Sequence, residues 1–125
     1  MQRLRGSVAS GHGDLADWMV QYSDLYQRVT GVRLFPGSLN VVLRHEYRLP
    51  ARRLRLEPGD YGGRVGMNLV PCTIGDHRAF IVRTDQNEAG TGHHGREILE
   101  IAAPVKLRDA LGVVDGDEVE IVVEA

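Results

Sequence analysis

Apolar positions along the chain change period several times, and each change predicts an element. Residues 4–10 read as a first strand with Val8 as its clearest apolar member, and the run breaks at Gly11-His12-Gly13. Asp14 follows, a residue whose carboxylate accepts the free amide hydrogens of a first helical turn. Leu15, Trp18, Met19, Tyr22, Leu25, Tyr26 and Val29 then recur at intervals of three and four, up to Gly31. That spacing predicts an amphipathic helix whose aromatic stripe packs on a sheet. After a turn at residues 34–37, the β-branched segment SLNVVL at residues 38–43 predicts a strand. Residues 44–60 carry many arginines, two prolines and little periodicity, which suits a loop with one short extended piece. Residues 64–74 and 77–83 are two further extended runs about the Gly75-Asp76 turn. Residues 84–95 are polar and glycine-bearing, a loop of a length often tied to function and able to form a lid. Residues 98–103 are an apolar strand, and Pro104 suits the first position of a short helix with Val105, Leu107 and Leu111 buried. Beyond the Asp115-Gly116-Asp117 turn, EVEIVVE alternates over residues 118–124, with Val119, Ile121 and Val123 on one face.

These elements sum to a mainly β fold, one domain over residues 1–125, with one amphipathic helix and one short helix. Short strands joined by glycine turns in a chain of 125 residues suggest a small barrel. Glycine, at 15 residues, is the one unusual component; 42% hydrophobic and 26% charged residues are ordinary for a globular protein. A net charge of -2 argues against a general binder of nucleic acid or of a membrane surface, both of which demand a cationic face. The single cysteine, Cys72, rules out an intrachain disulfide and a cysteine-rich zinc site, and suits a reducing, cytoplasmic setting. No apolar run approaches the roughly 20 residues of a membrane span, and the first residues lack the apolar core of a signal peptide.

Three segments carry candidate chemistry. In Ser10-Gly11-His12-Gly13-Asp14, two glycines between a strand and a helix let a phosphate approach backbone amides, although alone the segment reads as a plain strand-to-helix turn. In Pro36-Gly37-Ser38-Leu39-Asn40, the Ser38 hydroxyl and the Asn40 amide oxygen fall on one face of an extended segment. Both are neutral hard donors, suited to Mg²⁺ when phosphates supply the negative charge. In the segment from Glu100 to Arg108, a carboxylate sits inside an apolar strand, where it needs solvent or a partner. Lys106 and Arg108 follow at the short helix. Adjacent His93 and His94 lack a suitably spaced third ligand for zinc. Arg48, Arg52, Arg53 and Arg55 have little aromatic interleaving and read as a solvated face, and no serine has nucleophile-elbow context.

The order of these segments, ending in Glu-Ile-Ala-Ala-Pro-Val-Lys-Leu-Arg and Asp-Gly-Asp-Glu-Val-Glu-Ile, resembles the CTP-dependent riboflavin kinase family over nearly the whole chain. The resemblance implies a six-stranded cradle-loop barrel with nucleotide and flavin in a surface groove. It implies nucleotide contacts at Gly11, His12, Gly13, Asp14, Leu15 and Ala16, and again at Val105, Lys106, Leu107 and Arg108. It implies Mg²⁺ at Ser38 and Asn40, and flavin contacts at Glu100 and Thr91. Three departures stand out: Leu15 occupies the place of a third glycine, Ser38 replaces threonine, and Thr91 lies one position off register.

The activity so implied is transfer of the γ-phosphoryl group of CTP to the 5′-hydroxyl of riboflavin, giving FMN and CDP. Neither nucleic acid nor membrane is among the partners. Glu100 has two readings, a hydrogen bond to the flavin or a catalytic base. The alternative is a non-catalytic flavin- or nucleotide-binding module on the same barrel, a reading that Leu15 motivates.

Overall fold

A computed structural model describes residues 1–11, 15–61 and 65–124. The described elements, in order, are β1 (Gln2–Ala9), α1 (Leu15–Gln21), α2 (Ser23–Thr30), β2 (Leu39–Leu43), β3 (Leu54–Leu56), α3 (Pro58–Tyr61), β4 (Met67–Ile74), β5 (His77–Thr84), α4 (Asp85–Ala89), β6 (Ile98–Ala102), α5 (Leu107–Leu111) and β7 (Glu118–Val123). The strands pair antiparallel in the order β4-β5-β6-β2-β1-β7, and β7 returns to β4 to close a six-stranded barrel. Closure is possible because β4 divides one edge between two partners: residues 67–69 pair with β3 and residues 72–74 with β7.

The period-two pattern fills the barrel. Val41, Val70, Ile81, Leu99, Ile101 and Ile121 are almost wholly buried in its interior, with Cys72 among them. Each large side chain so buried contributes about 1.5–3 kcal/mol. Exposed ion pairs such as Arg3 to Glu120, at 2.8 Å, contribute at most about 1 kcal/mol, so the interior dominates stability. Where β1 crosses β2, a Cβ on Gly6 would stand 2.5 Å from the Val42 carbonyl oxygen and 2.7 Å from Val41 Cγ1. Only glycine permits that approach.

Outward positions of the same strands form a second cluster. Met19, Tyr26 and Leu34 pack on Leu56, Leu69, Val82 and Ala102, so α1 and α2 lie against the barrel wall, but Trp18, expected in the packed stripe, is 40% exposed and stacks on Tyr22 with ring centroids 5.5 Å apart. The expected single helix is bent at Tyr22 (φ -112°, ψ 30°), while backbone bonds from Tyr22 N–H to Trp18 (2.9 Å) and Tyr26 N–H to Tyr22 (3.0 Å) continue across the bend. Gly31 ends α2 in the left-handed conformation, φ 82°.

Two local expectations change. The α5 helix starts at Leu107 rather than Pro104, and Val105 is 40% exposed instead of buried. Residues 84–95 are not all loop: α4 forms one turn, capped by Thr84, whose hydroxyl accepts the Asn87 N–H at 3.1 Å. One turn is too short to display helical periodicity.

Buried polar bonds pin this connection. Arg83, only 3% exposed, donates to the backbone carbonyls of Tyr47, Arg96 and Ile98 and to Glu88 Oε1 at 2.8 Å. Glu88 also accepts the Leu49 N–H at 3.0 Å, and Arg96 Nε donates to the Glu88 carbonyl at 2.8 Å. Nearby, Arg55 forks onto Asp85 at 2.8 and 3.0 Å, and the fully buried Asn68 accepts from Arg55 and donates to Asp85. The Arg55 hydrogen bonds, reinforced by Asn68, hold the Asp85 carboxyl below its ordinary range.

Replacing Arg83 by Met removes one buried donor from Glu88 and from three carbonyls, so a loss of about 3–5 kcal/mol in denaturant unfolding is expected; a loss below about 1 kcal/mol would contradict the staple. Because Asp85 titrates lower in the folded than in the unfolded chain, its contribution is complete at neutral pH and is lost as pH falls through the folded value. The stability gap between wild type and Asp85→Asn should therefore close in strong acid, and a gap unchanged by pH would refute that assignment.

Candidate functional site

The site grows from the register of three strands. Asn40 on β2 stands opposite Ala9 of β1 on one side and Glu100 of β6 on the other, and Glu100 stands opposite Val82 of β5. Residues that face each other across antiparallel strands present side chains on the same side of the sheet. Leu39, Val41, Leu99 and Ile101, the chain neighbours of Asn40 and Glu100, point into the barrel. Asn40 and Glu100 therefore share the outer face.

Ser38, just before β2, joins them. Its hydroxyl lies 3.3 Å from Glu100 Oε1 and 3.4 Å from Asn40 Oδ1, in hydrogen-bonding geometry with both. Asn40 is only 7% exposed, and the start of the glycine-rich segment covers it: a Cβ on Gly11 would fall 1.9 Å from Asn40 Nδ2. A side chain at Gly11 and the observed Asn40 rotamer are mutually exclusive. His12, Gly13 and Asp14 lie outside the described residues.

Beyond them α1 leans on the same loop. The Gly37 N–H donates to Met19 Sδ at 3.4 Å, and a Cβ on Gly37 would lie 3.9 Å from that of Ala16. Leu15, half-buried, packs against the apolar cluster between helix and barrel. On the other flank of Ser38, a cleft of about 140 Å³ is lined by Ser38 and by Val105, Lys106, Leu107 and Arg108, with Phe35 and Ala103 among its walls. Phe35 and Val105 are 43% and 40% exposed, which gives the cleft an apolar rim. Arg108 Nη2 donates to Asp115 Oδ1 at 2.9 Å, and the Ser10 hydroxyl donates to Asp115 Oδ2 at 2.5 Å. Lys106 Nζ lies 3.9 Å from Asp109.

Gly11, Ala16, Ser38, Asn40, Glu100 and the segment 105–108 thus converge on one region. Thr91 is placed apart from these contacts: it is exposed, and both its N–H and its hydroxyl donate to the Gln86 carbonyl, at 2.9 and 3.3 Å. Asp115 and Phe35 belong to the region but were expected only as turn residues, and Ser10 only as the first residue of the glycine-rich segment. No sequence signal links Ser10 to Asp115, which are 105 positions apart.

Ser38 and Asn40 offer only neutral oxygen donors, beside one carboxylate, a set that fits a hard divalent cation whose remaining ligands and counter-charge come from phosphate. Gly11 packs on the Asn40 amide, and the cations at residues 106 and 108 line the cleft beside Ser38. Fold and residues together define a closed six-stranded β-barrel that carries a polar cluster, Ser38, Asn40 and Glu100, on the outer face of its wall. A family model named CTP-dep_RFKase, described as "Domain of unknown function DUF120", matches residues 8–123. Relatives named riboflavin kinase match at 34% identity in Thermofilum pendens, 37% in Pyrobaculum arsenaticum and 37% in Pyrococcus abyssi, over 96%, 95% and 93% of this chain. The chain belongs to this CTP-dependent riboflavin kinase family. It spans 58%, 59% and 56% of the length of those relatives. Among the described residues, no helix is long and apolar enough to cross a membrane.

Gly11→Ala is expected to evict the Asn40 amide from its place while leaving the barrel folded. The test is the Asn40 side-chain amide resonance in ¹⁵N-labelled protein, which should move in the variant. An unmoved resonance would contradict the contact.

Proposed function

We propose that residues 1–125 act as one domain that transfers the γ-phosphoryl group of CTP to the 5′-hydroxyl of riboflavin, releasing FMN and CDP. The observation that carries this reading is the convergence on Asn40: Gly11 packs on its amide, and Ser38 links it to Glu100. A phosphoryl transferase must hold a triphosphate, a divalent cation and an acceptor hydroxyl in line. The three chain segments meeting here match those needs.

In this reading the amides about residues 11–16 hold phosphate oxygens, with Lys106 and Arg108 opposing them. The nucleoside end lies in the cleft bounded by residues 105–108, its base against the exposed faces of Phe35 and Val105. Ser38 and Asn40 would hold Mg²⁺, which when bound supplies charge neutralisation to the transferring group. Glu100 orients the flavin, which extends from the β6 row toward Thr91. The riboflavin 5′-oxygen attacks Pγ, the bond from Pγ to the bridging oxygen breaks so that CDP departs with that oxygen, and the 5′-hydroxyl proton passes to solvent water.

The place of Leu15 is compatible with this reading: its side chain packs against the apolar cluster between α1 and the barrel. A cytoplasmic setting is supported by Cys72, buried and unpaired in the barrel, its thiol pushed up to about 12 by burial.

Purified protein given riboflavin, Mg²⁺ and either CTP or ATP should form FMN with CTP, and chelation of the metal should stop it. Asn40→Ala should lower turnover by about 100-fold or more with an unchanged melting temperature. Flavin binding without FMN from either nucleotide would leave only the module, and full turnover in Asn40→Ala would remove the metal assignment.

A further inference from the structure

One carboxylate outside the segments so far assigned to substrates touches both ends of the nucleotide-holding apparatus. Asp115 sits at the tip of the turn between α5 and β7. One of its oxygens accepts the Ser10 hydroxyl at 2.5 Å and the other accepts Arg108 Nη2 at 2.9 Å. Ser10 immediately precedes Gly11, whose backbone packs on Asn40, and Arg108 ends the segment that lines the cleft. The two segments that would grip the nucleotide are joined through this one side chain.

We propose that Asp115 is a positioning residue for the nucleotide, fixing the distance and orientation between the segment beginning at Ser10 and the guanidinium of Arg108. The inference rests on the kinase reading for its substrate and on the two hydrogen bonds for its geometry.

The turn is built to hold that carboxylate still. The Gly116 N–H donates to the Val8 carbonyl and the Val8 N–H to the Asp117 carbonyl, each at 2.8 Å, which welds the turn to the end of β1. Asp117 Oδ2 accepts the Val114 N–H at 2.9 Å across the turn, and Gly116 takes φ 94°, a left-handed conformation natural to glycine. Asp115 therefore projects from a backbone fixed to the strand that delivers Ser10. Its hydrogen bonds to Ser10 and Arg108 keep its carboxyl below the ordinary range, so it remains an anion at neutral pH. As an anion it can accept from a hydroxyl and a guanidinium at once; a neutral amide would offer one acceptor oxygen.

The guanidinium is aimed by this arrangement. Asp115 takes Nη2, and among the described residues no other hydrogen bond engages the Arg108 guanidinium, which leaves Nε and Nη1 for a phosphate oxygen. Asp115 is the more exposed member of the pair, 53% against 34% for Arg108. An exposed pair of this kind adds little to global stability. Its loss should register in nucleotide affinity rather than in unfolding.

The test measures FMN formation with each substrate varied in turn, together with direct CDP binding in Mg²⁺ by calorimetry, for wild type, Asp115→Ala, Asp115→Asn, Ser10→Ala and the Ser10→Ala/Asp115→Ala double variant. Asp115→Ala should raise the nucleotide KM and the CDP Kd by about ten-fold while the riboflavin KM stays within about two-fold and the melting temperature holds. Asp115→Asn should fall between wild type and Asp115→Ala. The double variant should be no worse than Asp115→Ala, because the Ser10 bond is already gone. A CDP affinity in Asp115→Ala equal to that of wild type would overturn the proposal, as would equal losses for both substrates accompanied by a lowered melting temperature. Wild type that binds CDP yet makes no FMN would sink the kinase reading alone, and the binding arm would still decide the role of Asp115. Wild type that binds no CDP would overturn both.

Discussion

The antiparallel register that sets Ala9, Asn40 and Glu100 side by side across β1, β2 and β6 is the constraint from which the site follows. A shift of one residue in either pairing would turn Asn40 or Glu100 into the barrel, where an unpaired carboxylate costs several kcal/mol. The hydrophobic neighbours forbid that shift. Val41 and Ile101 are fully buried, and moving them outward would lose the burial on which the fold depends. The core thus sets the position of the polar row without touching it.

Around that row the molecule uses polar contacts of two kinds. Buried ones, such as Arg83 with Glu88 and Asn68 with Asp85, hold the α4 connection and its neighbours to the barrel end. Exposed ones, such as Ser10 and Arg108 on Asp115, contribute little to stability and set the relative position of segments about the cleft. The two ends of the barrel are accordingly different. One is locked by the buried Arg83–Glu88 pair and the buried Asn68, and the other offers carbonyl, hydroxyl and guanidinium groups that a ligand can engage.

Much of the barrel was legible because its strands alternate. EVEIVVE places Ile121 and Val123 inside, and the spacing of Met19 and Tyr26 places α1 and α2 against the wall. Elements of one turn were not legible: α3 and α4 are four and five residues long, and nothing so short carries a period. Val105 was expected inside because it is apolar, but α5 begins two residues later and leaves it on the rim of the cleft. At the site, the same-face placement of Ser38 and Asn40 followed from strand geometry, and their juxtaposition with Glu100 from the family resemblance. The tie between Ser10 and Asp115 followed from neither, since barrel closure makes it and each residue taken singly is an ordinary polar residue of a turn or strand end.

The central claim, that strand register gathers Gly11, Asn40 and residues 105–108 into one nucleotide site, is tested most directly by a backbone ¹⁵N–¹H titration with CDP and Mg²⁺. The account predicts that the amides of Gly11, Ser38, Asn40, Lys106 and Arg108 shift together, saturating with a single affinity. Perturbations confined to the opposite end of the barrel, around Arg44 and Tyr47, with the β2–β6 row unmoved, would contradict it.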